Sequence, residues 1–174
     1  ILDPKKFDTD IDLAISKIKR ISPESVDPRV KNYHWLDLVN GMFEAYDRGH
    51  YTAVLVDEEN NVLEGPGFNI FSLDKNGLKT PKIGVLEGIT RQTAIRLASE
   101  LDIPVQEKSI GSEEFINSDE AFATSTAGGI IPITKINGKK INNGKIGKVT
   151  SLLKNLYWEK HTDPQWSQSV DELI

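Results

Sequence analysis

The chain has no cysteine, one methionine and three histidines among its 174 residues. Without cysteine there can be no disulfide and no thiolate metal site, a usage that fits a reducing compartment and leads to the expectation of a cytoplasmic protein. His34, His50 and His161 stand far apart, with no second imidazole or carboxylate pair at ligand spacing, so no metal is expected. Positive charge is also short: 21 Lys plus Arg against 26 Asp plus Glu leave a net charge of -5, and no basic run occurs. That balance argues against nucleic acid and against an anionic membrane surface as partners. No apolar stretch approaches the roughly 20 residues that a membrane span needs. Nucleotide and hydrolase signatures are missing too: Gly65-Pro66-Gly67 lacks a third glycine, no P-loop pattern occurs, and no serine sits in a nucleophile elbow.

What is present is a globular composition, 38% hydrophobic, enough for one domain with a real core. Ile1 is not an initiator Met, and residues 1–4 read as the end of a strand or linker, so the expectation is a domain cut from a longer polypeptide. Asp8-Thr9-Asp10 reads as an N-cap cluster, and Ile11, Ala14, Ile15 and Ile18 behind it predict a first helix running to about Arg20. Pro23 and Pro28 then force an extended loop that delivers Lys31. Leu36, Val39, Met42, Phe43 and Tyr46 predict a second helix with that face on the core and Gly49 as its C-cap. Thr52 to Asp57 and Asn69 to Leu73 predict strands of a β-meander, with turns at Glu58-Glu59-Asn60-Asn61 and Asn76-Gly77. A helix from Thr90, a strand around Val105 to Ile110, a short helix from Ser112 to Asn117 and a strand from Ala121 to Thr126 follow. Asn137-Gly138 marks a hairpin turn, and Val149 to His161 a last amphipathic helix. The whole predicts an α/β (mixed α+β) domain, mixed β-sheets packed with helices.

Four positions suit different parts of one cofactor, pyridoxal phosphate, which needs a lysine amine for a Schiff base, a partner for its pyridine nitrogen and a phosphate cradle. Lys31 closes Asp27-Pro28-Arg29-Val30-Lys31 at the mouth of a loop; taken alone it reads as an ordinary surface lysine. Glu64 leaves a strand into Gly65-Pro66-Gly67, where a carboxylate could keep a pyridine nitrogen protonated, or simply sit at a strand edge in water. Gly88-Ile89-Thr90 opens a helix whose first amides could hold a phosphate, with a plain threonine N-cap as the alternative. Thr126 precedes Ala127-Gly128-Gly129, which could form an anion-binding nest or merely a glycine turn.

Taken together, Glu64-Gly65-Pro66-Gly67-Phe68-Asn69-Ile70-Phe71, Leu78-Lys79-Thr80 and Leu86-Glu87-Gly88-Ile89-Thr90-Arg91 resemble the signature of the class IV aminotransferases, the fold-type IV pyridoxal-phosphate enzymes. Pro66 where a small residue is usual, the short gap between Thr80 and Leu86, and the run Lys31-Asn32-Tyr33-His34-Trp35 are similar to the (R)-selective amine transaminase subgroup, within a branched-chain aminotransferase-like group. The likeness extends from about Asp27 to Asp163. It implies a C-terminal large domain: 1–26 a leading helix and loop, 27–163 the cofactor-binding domain, 164–174 a tail, with a smaller N-terminal domain and its phosphate-binding arginine absent from this chain. By this resemblance Lys31 carries the Schiff base and the catalytic proton, Glu64 pairs with the pyridine nitrogen, and Leu86 packs on the ring. Gly88, Ile89, Thr90 and Thr126 hold the phosphate, and Thr126, Ala127 and Gly128 border the substrate. The tyrosine that contacts the cofactor's phenolic oxygen in some relatives has no secure counterpart here, since Tyr33 and Trp35 both fall near it, and that role stays open. The implied activity is amino-group transfer between an amine or amino acid and a 2-keto acid by a homodimer. An aminodeoxychorismate lyase or a catalytically silent binding domain of the same family is the alternative.

Overall fold

The computed structural model describes residues 11–169. It contains nine strands in one mixed sheet and four α-helices among those residues: β1 Ile11–Lys19, α1 Leu36–Asp47, β2 Thr52–Val56, β3 Glu64–Gly65, β4 Phe68–Asp74, β5 Gly77–Thr80, α2 Ile89–Glu100, β6 Val105–Glu107, α3 Ser112–Ile116, β7 Glu120–Ser125, β8 Gly129–Ile136, β9 Lys139–Lys140 and α4 Lys148–Glu159. The strand order is β2-β1-β8-β7-β4-β5-β6, with β3 paired to β4 and β9 to β8. Parallel pairs join β1 to β2, β1 to β8 and β5 to β6, and the others are antiparallel. The sheet curls back on itself, because Leu63 just before β3 donates its N–H to the Leu55 carbonyl of β2 at 2.9 Å.

Alternation along the strands sorts the core into layers. Val54, Val56, Ile70, Ala121, Ala123 and Ile133 point into the curl and meet Phe115 of α3. The opposite residues face outward in two places. Phe71, Phe122 and Ile130 pack under Ala94 and Leu97 of α2 and Leu153 of α4. Ala53 and Leu55 of β2 pack under Leu38 and Ala45 of α1. Phe71 and Phe122, neighbours on β4 and β7, stack with centroids 4.7 Å apart.

Two expectations are corrected. Residues Ile11–Lys19 form a strand, not a helix; the expected N-cap Asp8-Thr9-Asp10 lies outside the described residues. β1 is hydrogen-bonded on both edges and covered on both faces, so its apolar residues need not alternate, and their accidental helical spacing carries no information. Helix α1 is where expected, and Gly49 takes the left-handed conformation (φ 80°) just past its end. Its buried face, however, is Leu38, Gly41 and Ala45, while Leu36, Phe43 and Tyr46 are exposed. The small residues decide this: a methyl on Gly41 would lie 2.6 Å from the Leu55 side chain, so glycine there lets α1 sit close on β2. The turn at Asn137-Gly138 is as read, with both residues at positive φ between β8 and β9.

Candidate active site

A cleft opens on the outer face of the sheet where the coverings by α1 and α2 leave a gap. It is lined by Lys31, Trp35, Glu64, Asn69, Leu86, Gly88, Ile89, Thr90, Thr124 and Thr126, among others. Residues from Lys31 to Thr126 thus meet at one place.

Glu64 forms its floor at one end. Its side chain is buried, and Oε1 accepts from the Arg20 Nε at 3.3 Å and Nη2 at 3.2 Å. Oε2 accepts the Leu86 N–H at 2.9 Å and a longer contact from Asn69 Nδ2 at 3.4 Å, a distance that leaves room for another donor. Arg20 also holds Asp37 at the start of α1, with Nη1 to Oδ2 at 2.6 Å. Burial raises the Glu64 pKa above the usual carboxylate value, against the opposing pull of the Leu86 amide and Arg20. Asp37 is also pushed up by burial, but the Ile21 amide, Arg20 and the Leu38 amide outweigh it and leave the group lowered. One guanidinium between two carboxylates leaves one negative charge in excess at the cleft when both are ionised. A cationic N–H is the chemistry that would balance it.

The opposite end is the N-terminus of α2. Gly88 is the N-cap, with extended φ/ψ of -60° and 138°. Thr90 therefore sits inside the first turn and does not cap it. The Ile89 and Thr90 amides lie among the first N–H groups of a helix, which have no intrahelical partner. A side chain at Gly88 would collide with Asn69 Oδ1, so only glycine lets the helix start approach the sheet here. Arg91, fully buried, anchors the turn from below through Thr80 Oγ1 at 3.2 Å, the Pro81 carbonyl at 2.9 Å and Glu107 at 2.6 Å.

Lys31 is exposed and lines the cleft from the segment between β1 and α1. The turn after it is fixed by Asn32, which donates to the Val30 carbonyl at 2.8 Å and accepts the His34 N–H at 2.9 Å. Of the two aromatic candidates in this turn, Tyr33 is fully exposed and Trp35 lines the cleft. Thr126 lies at the rim beyond β7. Ala127 is exposed and Gly128 buried, and neither lines the cleft. The Gly128 amide donates to Ser125 Oγ at 3.0 Å, so it is spent within the turn and is not offered to an anion as a nest would require.

The family model for class IV amino-transferases matches residues 2–136. The chain belongs to the class IV aminotransferases. It is 36% identical over 129 residues to a branched-chain-amino-acid aminotransferase of Pseudomonas aeruginosa, covering 74% of this chain and 42% of that protein. It is 30% identical over 173 residues to the Salmonella typhimurium branched-chain-amino-acid aminotransferase, covering 95% and 55%. Among solved structures, the branched-chain aminotransferase of Thermoproteus uzoniensis with norvaline superposes with a TM-score of 0.85 at 32% identity, over 91% of this chain and 54% of that one. The PLP form of the Thermobaculum terrenum enzyme gives 0.85 at 33% identity, over 91% and 53%. The chain spans about half the length of the curated relatives it matches.

In this class IV aminotransferase, sequence reading found the cleft's two ends and missed what connects them. Arg20 was read as the end of a helix, Asn69 as the start of a strand within the signature run, and Thr124 only as a member of the strand Ala121 to Thr126, none of them as site residues. Arg20 reaches Glu64 only through the fold, from just past β1, and the other two become visible only through register: Glu64 pairs with Asn69 across β3 and β4, and Asn69 with Thr124 across β4 and β7. These three residues form one row along the cleft floor. Among the described residues no group of three or more His, Cys, Asp or Glu could hold a metal ion, and no helix is long and apolar enough to cross a membrane.

Proposed function

We propose that this chain binds pyridoxal phosphate and serves amino-group transfer between an amino acid or amine and a 2-keto acid. The observation that carries the proposal is the convergence of Lys31, Glu64 and the α2 N-terminus on one cleft. The residues fit the group at three independent points: an amine at the mouth, a buried carboxylate with excess negative charge on the floor, and unpaired helix amides beside a glycine whose close approach a Cβ would block. When bound, the cofactor supplies an aldehyde that takes up an amine and a ring that accepts the electron pair left when a substrate carbon loses its proton.

The chain's own residues do the rest. Lys31 Nζ would be the amine that holds the aldehyde and the base that moves the substrate proton. Glu64, kept in place by Arg20, holds the ring nitrogen as N–H⁺. The Ile89 and Thr90 amides and the Thr90 and Thr126 hydroxyls seat the phosphate, Gly88 admits it, and Leu86 presses on the ring face. Thr126, at the rim, borders the substrate. Branched-chain amino acids are the first donors to test, since the relatives carry that name. We further propose that two copies associate through the exposed side chains of α1, with the clefts near the contact.

Borohydride reduction of the full-length protein incubated with pyridoxal phosphate, followed by peptide mass mapping, tests the assignment. A pyridoxyl label confined to Lys31, and lost in Lys31→Ala, is expected; label scattered over other lysines, or none, contradicts it.

A further inference from the structure

The Thr124 hydroxyl is the unexplained group at this site. Thr124 is 2% exposed, and its Oγ1 is buried with no hydrogen-bond partner. A buried hydroxyl without a partner is destabilising, and native proteins keep few of them without a reason. It does not lie at random in the core. Thr124 lines the cleft from β7 and pairs in register with Asn69, whose side chain touches Gly88 at the start of α2. On the same strand Phe122, two residues earlier and so on the same face, packs beneath α2. Thr124 is therefore the floor residue beneath the helix end that offers its amides to an anion. Glu64 stands at the other end of the row, about 10 Å away by two strand spacings. In pyridoxal phosphate the ring nitrogen and the phosphate are likewise at separate ends.

We propose that the Thr124 hydroxyl is a phosphate ligand, donating from the sheet floor to an oxygen that the α2 amides hold from the side. A rotation about χ1, which exchanges the threonine hydroxyl and methyl, brings the donor to the cleft surface. The assignment rests on the pyridoxal-phosphate reading above. It adds a donor from the β-sheet to a seat otherwise made of a helix end and the Thr90 and Thr126 hydroxyls.

Thr124→Val keeps shape and removes only the hydroxyl, while Thr124→Ser keeps the hydroxyl. The dissociation constants of pyridoxal phosphate and of pyridoxal, which lacks the phosphate, are measured for the full-length protein and both variants, alongside the unfolding temperature of the cofactor-free forms. Thr124→Val is expected to weaken pyridoxal phosphate about tenfold or more, the effect of one hydrogen bond to a charged group. Pyridoxal binding stays within about twofold, Thr124→Ser stays near the parent protein, and cofactor-free Thr124→Val unfolds no earlier than the parent because an unpaired polar group has gone. Unchanged pyridoxal phosphate binding in Thr124→Val overturns the proposal while leaving the cofactor reading intact. An equal loss for pyridoxal overturns it in favour of a ring contact, and earlier unfolding in favour of a structural hydroxyl. If the parent protein binds no pyridoxal phosphate, the cofactor reading itself fails and the proposal with it.

Discussion

Glu64 and Asp37 titrate as opposites although they share the Arg20 guanidinium, because burial outweighs the hydrogen bonds and the positive charge at Glu64 and not at Asp37. Glu64 has its pKa raised in the folded chain, so its contribution to stability is fully present while it is protonated, below the ordinary carboxylate value. That contribution is lost as pH rises through the raised pKa. Asp37 is lowered, so its contribution is present above the ordinary value and lost as pH falls through the lowered one. Keeping Glu64 ionised at neutral pH thus costs stability in the empty protein, which a cationic ring nitrogen would return on binding. Glu64→Gln is expected to remove the fall in cofactor-free stability between the carboxylate range and neutrality, and to weaken pyridoxal phosphate binding at the same time. Unfolding midpoints measured against pH check the first part; curves for parent and variant that run parallel would sink it. Asp37→Asn is expected to show the reverse, destabilising at neutral pH and nearly silent in acid.

At the scale of elements, the start of α2 concentrates the constraints. Gly88 cannot carry a side chain without displacing Asn69, and Asn69 links the Leu86 carbonyl at 2.8 Å to Glu64. Gly88→Ala is therefore expected to disturb both ends of the cleft, costing about 1–3 kcal/mol of stability and weakening pyridoxal phosphate by about tenfold. Gly111, the N-cap of α3, is a matched control with nothing within 4 Å of an added Cβ; Gly111→Ala should leave binding unchanged and stability within about 0.5 kcal/mol. Denaturant unfolding and cofactor titration of the two variants separate these outcomes. The contrast also explains what was legible in the sequence. Gly88, Thr90 and Glu64 stand in short runs whose local chemistry is readable, and turns such as Asn137-Gly138 declare themselves by residue type. The strand β1 was not legible, since burial on both faces erases the alternation by which a strand is recognised. Arg20, Asn69 and Thr124 were not legible as a group, because only the folded chain brings Arg20 to Glu64, 44 positions away, and only strand register sets Thr124 beside Asn69, 55 positions away.

At the scale of the whole chain, the sheet closes around one apolar cluster and carries two more on its outer surface, under α1 and under α2 with α4. The cleft lies where those outer coverings stop. The same arrangement leaves apolar surface unmet: because Gly41 and Ala45 give α1 its seat on the sheet, the larger Leu36, Phe43 and Tyr46 are turned outward, at 74%, 55% and 51% exposure. Val30 and Tyr33, flanking Lys31, are exposed as well. Exposed apolar side chains gathered on one helix mark an interaction surface, and because α1 directly follows the segment that carries Lys31, a second copy docked there is expected to narrow the cleft mouth as well. Sedimentation of the full-length protein is expected to give a dimer. The double variant Phe43→Ser, Tyr46→Ser should raise the dimer dissociation constant about 100-fold, as the loss of two aromatic anchors does at an interface, with unfolding of the monomer little changed because neither side chain is buried within it. A monomeric parent protein at micromolar concentration, or a dimer indifferent to the double variant, would remove α1 as the contact. If the variant dissociates and also loses pyridoxal phosphate, the cleft depends on the partner for its completion, whereas a monomer that still carries the Lys31 label would show that one chain holds the cofactor by itself.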